Sequence, residues 1–242
     1  MTNQPADTIE VQKTVGVVGA NGHTGRFVIA ELLRRGLKPI AIGRSKERLA
    51  EAAFPEASIE IREAAVEDDA ALDRALAGAA AVINCAGPFM DTADAVVRAA
   101  LRAGIHYLDV TAEQPSVQAT FERHAAAARA AGVVVIPAMG FYGGLADLLV
   151  ATVMDEWDRA DTIEIHVALD SWLPTKGTRV TGEKNTAKRL AIADGQLAPV
   201  RQPPAEIVSV LPVPFGRQTF LEVPFSEVPL IAHHVRTREL HS

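Results

Sequence analysis

Gly19-Ala20-Asn21-Gly22-His23-Thr24-Gly25 follows the β-branched run Thr14-Val15-Gly16-Val17-Val18 and opens a stretch of helical period from Arg26 to Arg35. Strand, glycine turn and helix in that order make the phosphate-receiving half of a βαβ unit. Gly19 permits the tight turn off the strand, and Gly22 lets main chain approach a pyrophosphate with no Cβ between them. Gly25 lets the helix pack closely. The helix's free N–H groups and positive dipole end then receive the phosphates, Thr24 adds a hydroxyl donor, and His23 lies beside the pyrophosphate rather than acting as a catalytic imidazole. The spacing is G-x-x-G-x-x-G, and Asn21-Gly22 is also a hairpin dipeptide; the helical period that follows disfavours the hairpin. Phe27, Ala30, Leu32 and Leu33 are expected to form the helix's apolar stripe, with Gly36 just past its end.

Working outward, the pattern repeats. Ile40-Ala41-Ile42 is a second strand, and Ser45 caps a helix through Ala53. Ile59 and Ile61 mark a third strand, before a helix from Asp68-Asp69 to near Gly78. Val82-Ile83-Asn84 leads to a helix through Ala103, stopped by Gly104. His106 to Asp109 leads to a helix from Pro115 to Ala131, stopped by Gly132, and Val133 to Ile136 is the sixth strand. Apolar strands separated by helices predict a doubly wound parallel sheet, a Rossmann α/β domain over residues 1–154, with ligands at the carboxyl edge of the strands. Residues 155–242 read as a second, smaller α+β region for substrate or dimerisation, either incomplete or completed by a partner chain. Thr162 to Leu169 alternates, with Ile163, Ile165, Val167 and Leu169 on one face. A helix from Thr186 to Ala193 and short strands at Ile207-Val208, Leu221 to Val223 and Leu230 to Val235 complete that region.

The 242 residues are 48% hydrophobic and 22% charged, enough for a sizeable core and too apolar for disorder. Lys+Arg of 24 against Asp+Glu of 30 leaves a net charge of −6, without the basic footprint of a nucleic-acid binder. One cysteine, Cys85, excludes an internal disulfide framework and fits a reducing compartment. MTNQPADTIE, the first ten residues, lacks a signal peptide's pattern, and no apolar run reaches spanning length, so a soluble cytoplasmic protein without a membrane partner is expected.

Further along the carboxyl edge, Arg44 lies 19 residues after Gly25, about where an NAD site wants an acid. Arg44 pairing with a 2′-phosphate and Ser45 donating to it favour NADP(H); the alternative is a solvated charge and a plain N-cap. Val66 would flank the adenine. Cys85, Ala86, Gly87 and Pro88 let ribose and nicotinamide lie against backbone, with Cys85 read as a small buried thiol rather than a nucleophile. Asp109 and Glu113, flanking Thr111, either bind an amine, act as base, or cap and decorate a helix entry. Gly140 to Asp147 reads as a mobile loop, in which Tyr142 is either a proton donor or wall packing. His233-His234, adjacent on an expected strand, face opposite ways and predict no metal.

The motifs GVVGANGHTGRFV (Gly16 to Val28), AIGRSKERL (Ala41 to Leu49), VINCAGPF (Val82 to Phe89), AGIHYLDVTAE (Ala103 to Glu113) and the run Val133 to Asp147 together resemble the saccharopine dehydrogenase-like family of NADP-binding oxidoreductases, including trans-acting enoyl reductase-type members. The resemblance implies a Rossmann domain followed by an α/β domain closing a substrate cleft, with Gly19, Gly22, Gly25, Arg44, Ser45, Ala86 and Gly87 as cofactor contacts. It implies hydride transfer between NADP(H) and a small carbonyl, imine or enoyl substrate; the alternative is a non-catalytic NADP(H)-binding sensor or regulatory protein. Members carry a longer second domain, and Phe141 to Leu145 lacks the Ser/Pro composition of the enoyl-reductase type. No catalytic acid or base is assigned. A homodimer through the C-terminal region is expected.

Overall fold

A computed structural model describes residues 13–55 and 59–242; the N-terminal stretch read for targeting lies outside the described residues. The first part alternates β1 (Thr14–Val18), α1 (His23–Arg34), β2 (Lys38–Gly43), α2 (Lys46–Ala50), β3 (Glu60–Glu63), α3 (Asp69–Leu76), β4 (Ala81–Asn84), α4 (Phe89–Ala103), β5 (His106–Asp109), α5 (Gln114–Ala131) and β6 (Val135–Ile136). The six strands are all parallel in the order β3-β2-β1-β4-β5-β6, a Rossmann sheet. Its central strands are apolar because both faces are covered. Ile40, Ile42 and Val82 pack on Leu72, Leu76, Val96 and Val97 of α3 and α4. Val15, Val17 and Ala41, facing the other way, pack on Ile29 and Leu32 of α1 and Leu49 of α2.

Local signals placed most helix ends. Ser45 and Asp68 accept N–H bonds from Arg48 (3.3 Å) and Ala71 (2.9 Å) as N-caps. The stripe of α1 is a correction: Gly25, Ile29 and Leu32 are buried, whereas Phe27 is 66% exposed. At 100° per residue Phe27 lies about 200° around from Gly25, so the glycine contact sets the phase. α2 stops at Ala50 instead of Ala53, and β6 is two residues long.

Beyond β6, the expected mobile loop is helical. A π turn (Phe141–Leu145) runs straight into α6 (Ala146–Val153) and a 3₁₀ turn (Met154–Glu156). Then follow β7 (Ala160–Glu164), α7 (Lys176–Lys184), β8 (Leu190–Ala193), β9 (Gln196–Pro199), β10 (Glu206–Leu211), β11 (Gly216–Leu221), α8 (Glu227–His234) and β12 (Thr237–His241). One sheet is ordered β7-β12-β8-β9 and a separate hairpin joins β10 to β11, making an α+β region.

Four expectations fail here, the strand at Leu221 to Val223 among them, since β11 ends at Leu221. The strand from Thr162 ends at Glu164, because its parallel partner β12 runs out at His241, and Val167 and Leu169 are exposed. Leu190 to Ala193 is a strand rather than the end of a helix. Asp194 and Gly195, at φ 48° and 75°, form the two-residue hairpin turn that pairs Ala193 with Gln196; Asp-Gly was the legible signal. Leu230 to Val235 is mostly helix, with Val228, Pro229, Leu230 and Ile231 buried. Pro229 in the first turn is compatible with that helix, and its β-like composition reflects burial.

Gln114 fastens the two parts. Its Nε2 donates to the carbonyls of Leu190 (2.8 Å) and Phe225 (2.9 Å), and its Oε1 accepts the Leu190 N–H (2.8 Å). Ser226 Oγ donates to Thr111 O at 2.9 Å. Gln114→Ala leaves three main-chain groups without these partners, each worth about 1–3 kcal/mol if buried. The expected outcome is lower stability in urea, with amide exchange rising first at Leu190; unchanged exchange there would remove Gln114 as the fastener.

Candidate functional site

The loops at the carboxyl ends of the parallel strands meet in register. Val18 pairs with Ile42 and with Asn84, and Asn84 pairs with Asp109. The glycine turn therefore sits between Gly43-Arg44-Ser45 on one side and Cys85-Ala86-Gly87-Pro88 on the other, with Val110 to Glu113 beyond. Gly19 and Ala20 N–H groups both donate to Ile42 O, at 2.9 and 3.2 Å.

This turn has no space for side chains. A Cβ on Gly19, at φ 77°, would lie 2.9 Å from the main chain of Ala86 and Cys85. One on Gly25 would lie 2.3 Å from Gly19 O and 2.8 Å from Ala20 Cα. Gly22 caps α1 with extended backbone and no side-chain bond, and the first turn contains no acid. The first intrahelical acceptor is Gly22 O, taken by the Arg26 N–H at 3.2 Å. The N–H groups of His23, Thr24 and Gly25 thus point out of the helix mouth unpaired, toward where an anion gains most. A glycine cradle beneath an uncapped helix start fits a dinucleotide's diphosphate.

Other expected residues divide. Asn21, His23 and Thr24 are exposed at the mouth, His23 resting edge-on against Phe27 at 5.2 Å. Ala20 is fully buried in the core, so only its main chain faces the turn. Arg44 is exposed at the end of β2 and makes no hydrogen bond or ion pair with a described residue. Ser45 already works as the N-cap and donates to Glu47 Oε2 at 2.9 Å. Val66 packs half-buried against the core beside α3. Burial, with the Asp109 charge second, pushes the Cys85 thiol up to about 12, which leaves it protonated and inert.

The two acids of the β5 loop are braces. Asp109, fully buried, accepts Thr111 N–H (3.0 Å), Ala138 N–H (2.7 Å) and the Tyr107 hydroxyl (2.8 Å). Glu113 accepts Phe89 N–H (2.7 Å) and Met90 N–H (3.2 Å), capping α4 from another loop. Desolvation raises both carboxyls' pKa values, against the lowering effect of these N–H bonds. Their lone pairs are spent on main chain and on the Tyr107 hydroxyl, so neither is a free base. Tyr142 lies 4.7 Å from the Phe225 ring and 5.9 Å from Trp172, forming an aromatic wall, and Arg189 covers Phe225 at 4.6 Å.

Gln114, Ser226, Phe225, Trp172 and Arg189 were not legible as a cluster, since their contacts span long sequence separations. Thr181 of α7 is another: its hydroxyl would meet a Cβ on Gly87 at 3.5 Å, so α7 overhangs the β4 loop. His233 stacks on Phe121 and His234 contacts Asp147 at 2.7 Å, both on a helix rather than a strand. Among the described residues no three His, Cys, Asp or Glu groups gather as a metal site, and no helix is long and apolar enough to cross a membrane.

The sequence profile of the saccharopine dehydrogenase NADP binding domain matches residues 15–136. A saccharopine dehydrogenase-like oxidoreductase of Bos taurus is 29% identical over 54% of this chain and 35% of its own length. A lipid droplet localized protein of Caenorhabditis elegans is 30% identical over 55% of this chain and 34% of its own. An Arabidopsis thaliana saccharopine dehydrogenase-like oxidoreductase is matched at 28% over 64% and 38%. The chain thus spans little more than a third of the curated relatives it matches. Saccharopine dehydrogenase (L-Glu forming) from Saccharomyces cerevisiae superposes with a TM-score of 0.62 at 16% identity, covering 95% of this chain and 54% of that one, a likeness of fold.

Two outcomes follow from this geometry. Gly25→Val forces the turn off the sheet and is expected to destabilise by about 1–3 kcal/mol, seen as a lower Tm; an unaltered Tm would contradict the close approach. Asp109 keeps its proton to higher pH folded than unfolded. Its contribution to stability is therefore full below the ordinary carboxylate range and is lost as pH rises through the raised folded value. Asp109→Asn is expected to gain in Tm relative to the parent as pH rises above the ordinary carboxylate range. A constant difference would mean that Asp109 titrates alike in both states.

Proposed function

The chain belongs to the saccharopine dehydrogenase-like family and carries its NADP-binding domain, and on that premise we propose that it is an NADP(H)-dependent oxidoreductase acting on a small carbonyl, imine or enoyl substrate. The observation that carries this is the bare mouth of α1, where Gly25 presses on the turn and no side chain caps the helix. Bound NADP(H) supplies hydride chemistry through its nicotinamide. The chain's own residues hold and orient.

In this reading the main chain of Gly19, Ala20, Asn21 and Gly22 cradles the diphosphate. The N–H groups of His23, Thr24 and Gly25 donate to it. Arg44 meets the 2′-phosphate; a bidentate guanidinium suits that group, and Arg44 has no competing partner among the described residues. Ser45 takes a smaller part, since its hydroxyl is engaged by Glu47. Val66 flanks the adenine. Cys85, Ala86, Gly87 and Pro88 present backbone to the ribose and nicotinamide. Asp109 and Glu113 keep the floor of the site rigid, while Tyr142 and the overhanging α7 exclude water from the substrate side. We take residues 1–154 as the cofactor domain and 155–242 as the substrate-side region. A reducing, cytoplasmic setting suits the lone Cys85. Self-association, expected through the C-terminal region, is assigned below to a surface at the junction of the two parts.

Titration calorimetry with NADPH and NADH tests the reading. A charge-assisted pair is worth about 1.5–3 kcal/mol, so Arg44→Asp is expected to weaken NADPH by about 10- to 100-fold and to spare NADH. Parent protein that binds neither dinucleotide sinks the proposal; NADPH affinity indifferent to Arg44→Asp sinks the 2′-phosphate assignment.

A further inference from the structure

The segment Phe141 to Asp158, FYGGLADLLVATVMDEWD, contains no Lys or Arg. Its helical run, from the π turn through α6 to the 3₁₀ turn, spans about 25 Å at 1.5 Å per residue. Steps of three and four residues align Phe141, Leu145, Leu148, Leu149 and Val153 along its outward side. All five are exposed, Leu149 at 60% and Val153 at 68%. The inward side is already engaged, with Val150 packed on the α8 cluster and Asp147 bonded to His234. No residue of α6 is buried.

We propose that this stripe is a dimerisation face, packing antiparallel about a two-fold axis against the same stripe of a second copy of this chain. Area is the first argument. One aromatic and four aliphatic side chains, each about half exposed or more, offer roughly 500 Å² per copy. The pair then buries roughly 1,000 Å², at the lower end of what a specific interface needs, and exposed Met139 beside the N-terminal end extends it. Charge is the second argument. The stripe's C-terminal end carries Asp155, Glu156 and Asp158, at the pole of a helix where acids are disfavoured. Its N-terminal end begins at Gly140 with no side-chain cap and no acid in the first turn. Antiparallel packing sets each acidic end against the other copy's positive helix start, and parallel packing sets like against like. A lipid surface fits worse, because an interfacial helix wants Lys and Arg on its polar flank and this segment has none.

Ala138, at the foot of the stripe, donates to Asp109 and accepts the Gly144 N–H at 2.7 Å, so the helix start and the β5 loop move together.

Sedimentation velocity of the full chain is expected to show a dimer, and Leu149→Glu a monomer with native circular dichroism and NADPH affinity. Near the axis a residue meets its own copy. Because Cys85 is only half-buried, the test is made in a Cys85→Ser background: Leu149→Cys is expected to cross-link to itself on mild oxidation, whereas Leu145→Cys links only to Val153→Cys of another copy. Monomeric parent protein, a dimer that survives Leu149→Glu, self-linking of Leu145→Cys, or association only with anionic vesicles would each overturn the proposal. If Leu149→Glu does not fold, the cysteine pattern decides. Parent protein that fails to bind NADPH bears on the cofactor reading alone.

Discussion

Three pieces of main chain meet where α1 begins. Gly25 lies on Gly19 and Ala20, and Gly19 lies on Ala86, at separations no Cβ would survive. That contact sets the depth at which α1 sits on the sheet, which buries Ile29 and Leu32 and turns Phe27 outward. It also leaves the helix's first N–H groups bare at the edge where four loops converge. An anion-binding mouth and a packed helix–sheet joint are therefore the same feature.

Around that joint the protein uses buried charge to hold backbone. Asp109 gathers amides from Thr111 and Ala138, and Glu113 caps α4 from another loop. Each carboxylate satisfies donors that would otherwise be stranded away from water, which offsets part of its desolvation. Rigid loops matter for a site whose contacts are mostly main chain, because backbone can orient a ligand only if it does not move.

The second region is attached by polar ties and a small apolar cluster of Val117, Phe121, Ala138 and Leu230 rather than by one continuous core. Gln114 bridges to Leu190 and Phe225, Ser226 reaches Thr111, and Lys184 pairs with Asp91 at 2.7 Å. Its own core is small, centred on Ile192, Val228, Ile231 and Leu240. Many of its side chains remain in solvent, Leu173 and Val213 most of all. Interfaces of this polar kind permit relative motion, as a cleft that admits and releases a small molecule requires.

The alternation of strands and helices through Ile136, the glycine turn and the caps at Ser45 and Asp68 were all determined by the sequence. Each rests on neighbours a few residues apart, and a strand buried on both faces must be apolar whatever its surroundings. Residues beyond Asp155 read less well. The Thr186–Ala193 pattern became a strand because β9 and β12 flank it, and the Leu230–Val235 pattern became a helix because α5 and α6 enclose it. The roles of Asp109 and Glu113, the aromatic wall around Tyr142 and the outward stripe of α6 were decided only by the tertiary structure. Their partners, or the lack of them, depend on which distant segments fold alongside, and a linear pattern carries no record of that.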